Sequence, residues 1–137
     1  MNIKKIHSQL SVSEQIVAAD VQAIAQQGFK SIICNRPDGE VPNQPSAAEI
    51  EAQALAAGLV FRHQPVETGK VSPEQGMAFG QLLQELPQPV LAYCRSGTRS
   101  TTLWALAQPA SVATADIVAT AAQAGYDLSA WVRPTSR

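Results

Sequence analysis

The sequence predicts an α/β fold in which a mostly parallel central sheet of four to five strands is flanked by helices. Three short apolar runs, "FKSIICN", "LVFRHQPV" and "VLAY", have the character of buried strands and alternate with segments of helical spacing. Two capping boxes mark where helices begin between these runs. Because strands and helices alternate, we expect successive strands to lie parallel in one sheet. A length of 137 residues fits a single domain, residues 1–137.

The first helix and the first of these strands occupy the segment before residue 35. In "IVAADVQAIAQQG", apolar residues recur at helical spacing at Val17, Val21 and Ile24, and Gly28 suits the position just past the end of a helix. The β-branched run "FKSIICN" follows and predicts a buried strand. Within it, Cys34 is interpreted as a small buried apolar residue.

Two helices are opened by capping boxes. Ser46 and Glu49 form the pattern S-x-x-E, which begins a helix that ends before Gly58. The strand "LVFRHQPV" comes next. Ser72 and Gln75 then form a second box, and this helix runs until the prolines of "LPQP" stop it. The loop "RPDGEVPNQP" is rich in turn-forming residues.

The last strand, "VLAY", leads directly into Cys94. Two further segments, "TTLWALA" and "ATADIVATAAQA", predict helices, the second of which extends to Gly125. In open α/β sheets, ligands bind at the carboxyl ends of the strands. Cys94 therefore lies where a binding site is expected.

The stretch "CRSGTRS" has the composition of an anion-binding loop that carries a nucleophile. A turn from strand into helix gathers backbone N–H groups around one concavity, and the helix N-terminus adds partial positive charge. Gly97 permits the backbone shape, and Arg99 offers a planar fork for two oxygens of an oxyanion. The same positive field stabilises a thiolate at Cys94, and we expect the Ser100 hydroxyl to donate to its sulfur. The residues predicted to contact the anion from the loop are Arg95, Ser96, Gly97 and Thr98.

Composition and charge exclude several classes of partner. The formal net charge of -1 provides no general attraction for nucleic acid or an anionic membrane. The sequence has no apolar run of about 18 residues, and its first residues lack the apolar stretch of a secretory signal. The two cysteines have no metal-ligand spacing, so we expect no metal or other cofactor and a reducing, cytoplasmic location.

The loop "CRSGTRS" resembles the active-site loops of cysteine-dependent phosphatases and of rhodaneses. The order of elements resembles a compact dual-specificity phosphatase domain. More closely, "CNRPDGEVPNQPS", "FRHQPV" and "YCRSGTRS" resemble the bacterial phosphatase-like domain of the β-lactamase hydrolase-like family, from about Ile3 to Trp131. The resemblance implies a cysteine-phosphatase-like fold and hydrolysis of phosphate monoesters, phosphotyrosine among them, through a phosphocysteine. The partner would be a phosphorylated small molecule or a phosphoprotein.

One spacing and one residue depart from the phosphatase pattern, and the spacing favours a different chemistry. Four residues separate Cys94 from Arg99, whereas phosphatases of this superfamily usually have five. Four is the spacing typical of single-domain rhodaneses, which carry a persulfide on the cysteine. Tyr93 also stands where phosphatases tend to have histidine. A rhodanese-like transfer of sulfur from a sulfane-sulfur donor is therefore a second interpretation.

The acid that protonates the leaving group is the least defined residue of the predicted site. Phosphatases place an aspartic acid on the loop after the preceding strand, and Glu67 occupies the matching place here. Glu67 is equally well interpreted as a solvated loop carboxylate. Asp38 and Glu40 are rivals for the acid role, and Arg36 either lines the anion pocket or pairs with one of these two carboxylates.

A third interpretation of the whole site is a non-catalytic module that binds anions or senses oxidation through Cys94.

Overall fold

The computed structural model describes residues 2–131 and residue 133, so the ends of the predicted domain lie outside the described residues. Within these residues, five strands form one sheet with the spatial order β1-β2-β5-β3-β4. Strands β2, β5, β3 and β4 run parallel, and β1 pairs antiparallel with β2 at the edge. The strands are β1 (Ile3–His7), β2 (Leu10–Ser13), β3 (Ser31–Cys34), β4 (Val60–His63) and β5 (Val90–Tyr93). The predicted α/β class with a mostly parallel sheet is confirmed.

In the described part of the chain, five helices flank the sheet, and the two capping boxes form as the sequence predicts. The helices are α1 (Val21–Gln26), α2 (Ala47–Ala56), α3 (Pro73–Glu85), α4 (Thr98–Ala107) and α5 (Thr114–Gln123). The Ser46 hydroxyl accepts a hydrogen bond from the Glu49 amide at 3.1 Å, at the start of α2. The Ser72 hydroxyl accepts from the Gln75 amide at 3.2 Å, at the start of α3. Each box satisfies backbone donors that a helix leaves unpaired in its first turn. No helix in the described part of the chain is long and apolar enough to span a bilayer.

The core forms two layers, one on each face of the sheet. Alternate residues of β3 and β5 face opposite sides, so Ile33 and Ala92 join one apolar cluster while Ile32 and Leu91 join the other. The first cluster lies beneath α3, α4 and α5, and the second lies beneath α1 and α2. Gly76 lets α3 approach α4 closely, because a β-carbon at this position would lie 2.4 Å from the β-carbon of Leu106.

Two parts of the fold differ from the expectation. No strand is predicted before Phe29, yet the described residues begin with the β1–β2 hairpin. Edge strand β1 contains two exposed lysines and buries Ile6 alone among its residues, so its apolar signal is weak. The first predicted helix also begins later than its spacing indicates, because a 3₁₀ turn at Ala18–Asp20 precedes α1.

The parallel strands bring four chain segments to one edge of the sheet. The carboxyl ends of β2, β3, β4 and β5 all lie there, with β5 in the centre between β2 and β3. Cys94 directly follows β5, so its position at a strand end is as predicted. The segments after β2, β3 and β4 are consequently the neighbours available to the loop of Cys94.

Candidate active site

The loop between β5 and α4 holds Cys94 in a fully enclosed position. Cys94 is buried, and its backbone amide donates to the Ser13 carbonyl of the neighbouring strand at 3.4 Å. The backbone amide of Gly97 donates a hydrogen bond to the Cys94 sulfur at 3.1 Å. Helix α4 begins one residue later, at Thr98. A backbone donor and a helix N-terminus therefore both face the sulfur side of the turn, the environment that stabilises negative charge.

Gly97 adopts a backbone conformation that the loop requires. Its φ is +96°, in the left-handed region, and it is the residue that precedes the first turn of α4. A β-carbon at this position would lie 2.1 Å from the hydroxyl oxygen of Tyr126. Both the conformation and the lack of space demand glycine.

Arg99 is held from two sides, and one edge of its guanidinium is left over. Its Nη1 and Nη2 atoms donate to Glu40 Oε2 and Oε1, each at 2.8 Å, and Nη1 also donates to the Val66 carbonyl at 2.9 Å. Within the described part of the chain, Arg99 Nε donates to no oxygen or nitrogen atom, and the one oxygen acceptor of Nη2 is on Glu40. The Cys94 sulfur lies close enough to the guanidinium to act on it as a hydrogen-bond acceptor. The edge formed by Nε and Nη2 therefore has two hydrogens available for the oxygens of an anion. Hydrogen bonding to Glu40 and negative charge on Cys94 raise the pKa of Arg99.

Glu40 joins two buried arginines into one network. Its Oε1 also accepts from Arg36 Nε at 2.9 Å, and Arg36 Nη1 donates to Gln15 Oε1 at 3.1 Å. Arg36 and Arg99 are 3% and 6% exposed, so each guanidinium depends on these partners for charge compensation. Hydrogen bonds from Arg99 and then Arg36 lower the pKa of Glu40 to about 2. Of the alternatives predicted for Arg36, the structure shows pairing with Glu40.

The two rival acids are both engaged elsewhere. Glu40 is a poor proton donor near neutral pH, because the arginines hold its pKa at about 2. Asp38 accepts a hydrogen bond from the Ala47 amide at 2.8 Å, so its carboxylate caps the first turn of α2. The structure thus gives Glu40 and Asp38 structural contacts in place of the acid role considered for them.

Glu67 lies on the loop after β4, at the edge of the site. Its side chain is 66% exposed and its Oε2 pairs with Lys70 Nζ at 3.2 Å. The preceding residue, Val66, supplies the carbonyl that holds Arg99. The following residues, Thr68 and Gly69, line a cleft of about 770 Å³. Glu67 is therefore next to the cleft in the chain, with its carboxylate turned to the surface.

Ser100 makes a contact that differs from the expected one. Its hydroxyl donates to Asn35 Oδ1 at 2.8 Å, so its single hydrogen is not directed to the Cys94 sulfur in this structure. Asn35 in turn donates from Nδ2 to the Gln64 carbonyl at 3.1 Å and from its backbone amide to the Tyr93 carbonyl at 2.8 Å. These bonds tie the ends of β3, β4 and β5 to the first turn of α4.

The cleft joins the loop of Cys94 to the loop after β4. From the first loop it is lined by Arg95, Ser96, Thr98 and Arg99, four of the residues predicted to contact the anion or to act with Cys94. The Ser96 hydroxyl donates to Thr98 Oγ1 at 3.0 Å and accepts from the Thr98 amide at 3.3 Å. The remaining lining residues are Glu14, Thr68, Gly69, Val71 and Thr102. The two loops thus share one concave surface.

Cys34 is separated from Cys94 by the sheet. It is buried, as predicted, and its thiol donates to the Arg36 carbonyl at 3.4 Å. Cys34 on β3 pairs with Tyr93 on β5, so the two side chains lie on the same face of the sheet. Because successive residues of a strand face opposite sides, the side chain of Cys94 leaves β5 toward the other face. Both thiols are free, and burial raises the pKa of Cys34.

The site residues that the sequence analysis missed are Gln15, Asn35, the Val66 carbonyl and Tyr126. Each contacts a predicted site residue across a gap of at least 21 positions in the sequence. Asn35 is the one with a local signal, because it directly follows a buried strand whose carboxyl end lies at the site.

The structure places a buried cysteine at the end of a central parallel strand, followed by a glycine turn and an arginine at the start of a helix, and the whole fold is similar to that of solved cysteine phosphatases. The family model for the phosphatase-like domain of β-lactamase hydrolase-like proteins matches residues 2–111. The chain belongs to this family, as the resemblance indicated.

Individual relatives agree with this assignment. The β-lactamase hydrolase-like protein of Agrobacterium fabrum is 36% identical over 135 residues, which is 97% of this chain and 31% of that protein. The chain thus spans about a third of the length of this curated relative. A crystal structure of a candidate phosphatase from Neisseria meningitidis is 40% identical with a TM-score of 0.88, covering 96% of this chain and 94% of that one. Tk-PTP in its active form shares the fold, at 20% identity and a TM-score of 0.73, over 90% of this chain and 84% of that one.

Proposed function

We propose that the protein is a cysteine-dependent phosphatase that hydrolyses phosphate monoesters through a phosphocysteine at Cys94. The strongest support for this proposal is the arrangement of hydrogen bonds around Arg99. Glu40 and the Val66 carbonyl hold Arg99 so that its Nε and Nη2 edge is left for an oxyanion, on the same loop whose amide already donates to the sulfur. Membership of a phosphatase-like family supports the same class of reaction.

The first step joins sulfur to phosphorus. The Cys94 thiolate attacks the phosphorus of the ester, an S–P bond forms and the bond from phosphorus to the ester oxygen breaks. Arg99 binds two of the non-bridging oxygens, and the backbone amides at the start of α4 bind the third. Fixed donors of this kind stabilise the charge that spreads over the phosphoryl oxygens in the transition state. In the second step, water attacks phosphorus, inorganic phosphate leaves and the thiolate is restored.

The shape of the site supports a choice of substrate class. The cleft beside the loop has a volume of about 770 Å³, within the range of pockets that accept drug-sized molecules. It has room for an aromatic leaving group, and phosphotyrosine is the monoester that we propose to test first. Phosphotyrosine and phosphoserine peptides of one sequence, compared for phosphate release, test this choice. Equal rates on the two peptides would exclude a preference for phosphotyrosine.

Glu67 is the residue that we propose as the acid for the leaving oxygen. Its pair with Lys70 lies on the surface, where ion pairs contribute little, so the carboxyl is able to turn toward the cleft that Thr68 and Gly69 line. We expect Glu67→Gln to slow phosphate release from phenyl phosphate about 100-fold and to leave p-nitrophenyl phosphate nearly unchanged, because a good leaving group needs no proton.

Steady-state rates on the two esters measure this effect. Glu51→Gln is the matched control, since Glu51 is an exposed glutamate on α2, away from the cleft lining. If Glu67→Gln released phosphate from phenyl phosphate at the rate of the unmodified protein, Glu67 would not be the acid.

Sulfur transfer is a second candidate, and the four-residue spacing between Cys94 and Arg99 favours it. The Cys94 thiolate would attack the outer sulfur of thiosulfate, forming a persulfide and releasing sulfite, and cyanide would then remove that sulfur as thiocyanate. This reaction uses the same sulfur and the same arginine edge, and it needs no acid at Glu67.

A paired assay separates the candidates. The purified protein is given p-nitrophenyl phosphate in one reaction, and thiosulfate with cyanide in another. Phosphate release without thiocyanate is the expected result. Thiocyanate without phosphate release would assign the site to sulfur transfer. Silence in both reactions would overturn both catalytic proposals and leave an anion-binding or oxidation-sensing module.

A further inference from the structure

The peptide group between Ser96 and Gly97 is hydrogen-bonded through both its N–H and its C=O. The Gly97 N–H donates to the Cys94 sulfur at 3.1 Å, and the Ser96 carbonyl, which belongs to the same peptide group, accepts from the Tyr126 hydroxyl at 3.2 Å. The N–H and C=O of a trans peptide point in opposite directions. A hydrogen bond that holds the carbonyl outward therefore holds the N–H inward, toward the sulfur.

We propose that Tyr126 is a positioning residue, whose hydroxyl fixes the orientation of the peptide between Ser96 and Gly97 so that its N–H faces the nucleophile. Without this bond, rotation of the peptide plane would turn the Ser96 carbonyl toward the sulfur and remove a donor from the anion cradle. Tyr126 acts through the backbone and does not itself touch the reacting atoms. The inference rests on the loop geometry and is independent of whether the transferred group is phosphoryl or sulfur.

Glycine makes such a restraint necessary. Gly97 has φ +96°, and a glycine passes between positive and negative φ more readily than other residues. The peptide between Ser96 and Gly97 is consequently freer to rotate than a peptide that precedes a residue with a β-carbon. The Tyr126 ring occupies the space beside Gly97 where a β-carbon would stand, with the hydroxyl oxygen 2.1 Å from that position. The ring and the hydroxyl of Tyr126 together restrain the peptide between Ser96 and Gly97.

The fold places Tyr126 independently of the loop that it restrains. Gly125, with φ +97°, ends the turn after α5, and the Tyr126 amide donates to the Ala121 carbonyl at 2.9 Å. Tyr126 lies beyond residues 2–111, the part of the chain that the family model matches. Its hydroxyl and Ser96 are 30 positions apart in the sequence. The last helix thus delivers a contact that the loop sequence alone does not provide.

Tyr126 keeps its proton and stays a donor near neutral pH. Burial raises the pKa of its phenol, and negative charge on Cys94 and on Glu14 raises it further. Among the described residues, Cys94 and Glu14 are the charged groups that raise the pKa of this phenol. Ionisation of Cys94 therefore strengthens the tendency of Tyr126 to remain neutral while it donates to Ser96.

Alkylation of Cys94 by iodoacetamide tests the inference without any substrate. We expect Tyr126→Phe to lower the alkylation rate of Cys94 about fivefold at about pH 7, because the sulfur loses a fixed hydrogen-bond donor. Tyr93→Phe is the matched control, because it also removes a phenol hydroxyl, but one whose side chain packs in the apolar cluster that contains Cys34. Peptide mapping confirms that the modified residue is Cys94, and thermal melting shows that each variant is folded at the assay temperature.

A contact that supported the fold alone would lower the melting temperature without changing the alkylation rate of Cys94 in the folded protein. An unchanged rate in folded Tyr126→Phe, or an equal change in folded Tyr93→Phe, would overturn the inference. A second measurement covers poor folding of the variant. In unmodified protein labelled with ¹⁵N-glycine and carbonyl-¹³C-serine, Gly97 is identified as the one glycine that follows a serine. Its amide resonance is expected to shift when Cys94 is alkylated, and an unmoved resonance would contradict the inward N–H. Absence of both phosphatase and sulfurtransferase activity would overturn the proposed function alone.

Discussion

A Cys94→Ser protein is expected to release no phosphate above background from p-nitrophenyl phosphate. Serine keeps the size and the hydrogen bonding of the side chain, but its hydroxyl is not ionised near neutral pH and the loop has no general base to activate it. The Gly97 amide, which donates to the sulfur, would then donate to a neutral oxygen instead of the thiolate of the proposed mechanism. Initial rates of the unmodified and variant proteins, at equal concentration, measure the loss.

Cys34→Ser is the matched control for this experiment. Cys34 is buried on the opposite face of the sheet, and burial raises its pKa, so it is not activated as a nucleophile. Its replacement should lower stability modestly and leave the activity of the folded protein intact. Activity that survived in Cys94→Ser, or disappeared in folded Cys34→Ser, would show that the nucleophile had been assigned to the wrong residue.

Glu40→Gln is expected to weaken both the fold and the site. The substitution removes the one carboxylate shared by Arg36 and Arg99, and two nearly buried guanidinium groups would remain without a counter-charge. Breaking a buried ion pair from one side costs about 3–5 kcal/mol, and the Glu40 side chain is 24% exposed, so we expect a loss of about 2–3 kcal/mol in the free energy of unfolding. Phosphate release should fall as well, because Arg99 loses the contact that orients its remaining edge.

Urea denaturation and steady-state kinetics measure the two effects of Glu40→Gln. Glu67→Gln serves as the control for stability, because the pair between Glu67 and Lys70 is largely exposed and should contribute little. Wild-type stability in Glu40→Gln would mean that the arginines are solvated and that the network does not hold the site together.

The same network predicts how stability depends on pH. The pKa of Glu40 is about 2 in the folded protein, below its ordinary value of 4.5. A lowered acid pKa means that Glu40 stabilises the fold fully above about pH 4.5, and that this contribution is lost as the pH falls toward 2. Glu40→Gln should therefore show a shallower loss of stability than the unmodified protein across this range. Parallel pH profiles of the two proteins would contradict the assigned pKa.

The parts of the fold that sequence reasoning predicted correctly depend on local patterns. Ser46 with Glu49, and Ser72 with Gln75, are three residues apart, and a capping box is complete within that distance. The strand before Cys94 is likewise defined by four adjacent apolar residues. The β1–β2 hairpin was missed because an edge strand with exposed lysines shows little of the periodicity that marks a buried strand.

The contacts that organise the site are long-range and have no local signal. Arg99 and Glu40 are 59 positions apart, so sequence reasoning considered Glu40 as an acid and not as the partner of this arginine. Ser100 stands close to Cys94 in the sequence, which suggested a bond to the sulfur. In the folded chain its hydroxyl faces the end of β3 and donates to Asn35, 65 positions away. Tertiary packing decides these pairings, and spacing along the chain does not encode them.

The most direct test of the account is the capture of the covalent intermediate. The unmodified protein is mixed rapidly with an aryl phosphate, quenched in acid and digested. The mass of the peptide that contains Cys94 is then measured by mass spectrometry. We expect this peptide to gain the mass of one phosphoryl group, and we expect no gain in the peptide that contains Cys34. Continued release of phosphate with no phosphorylated Cys94 peptide at any quench time would contradict the central claim that this sulfur attacks phosphorus.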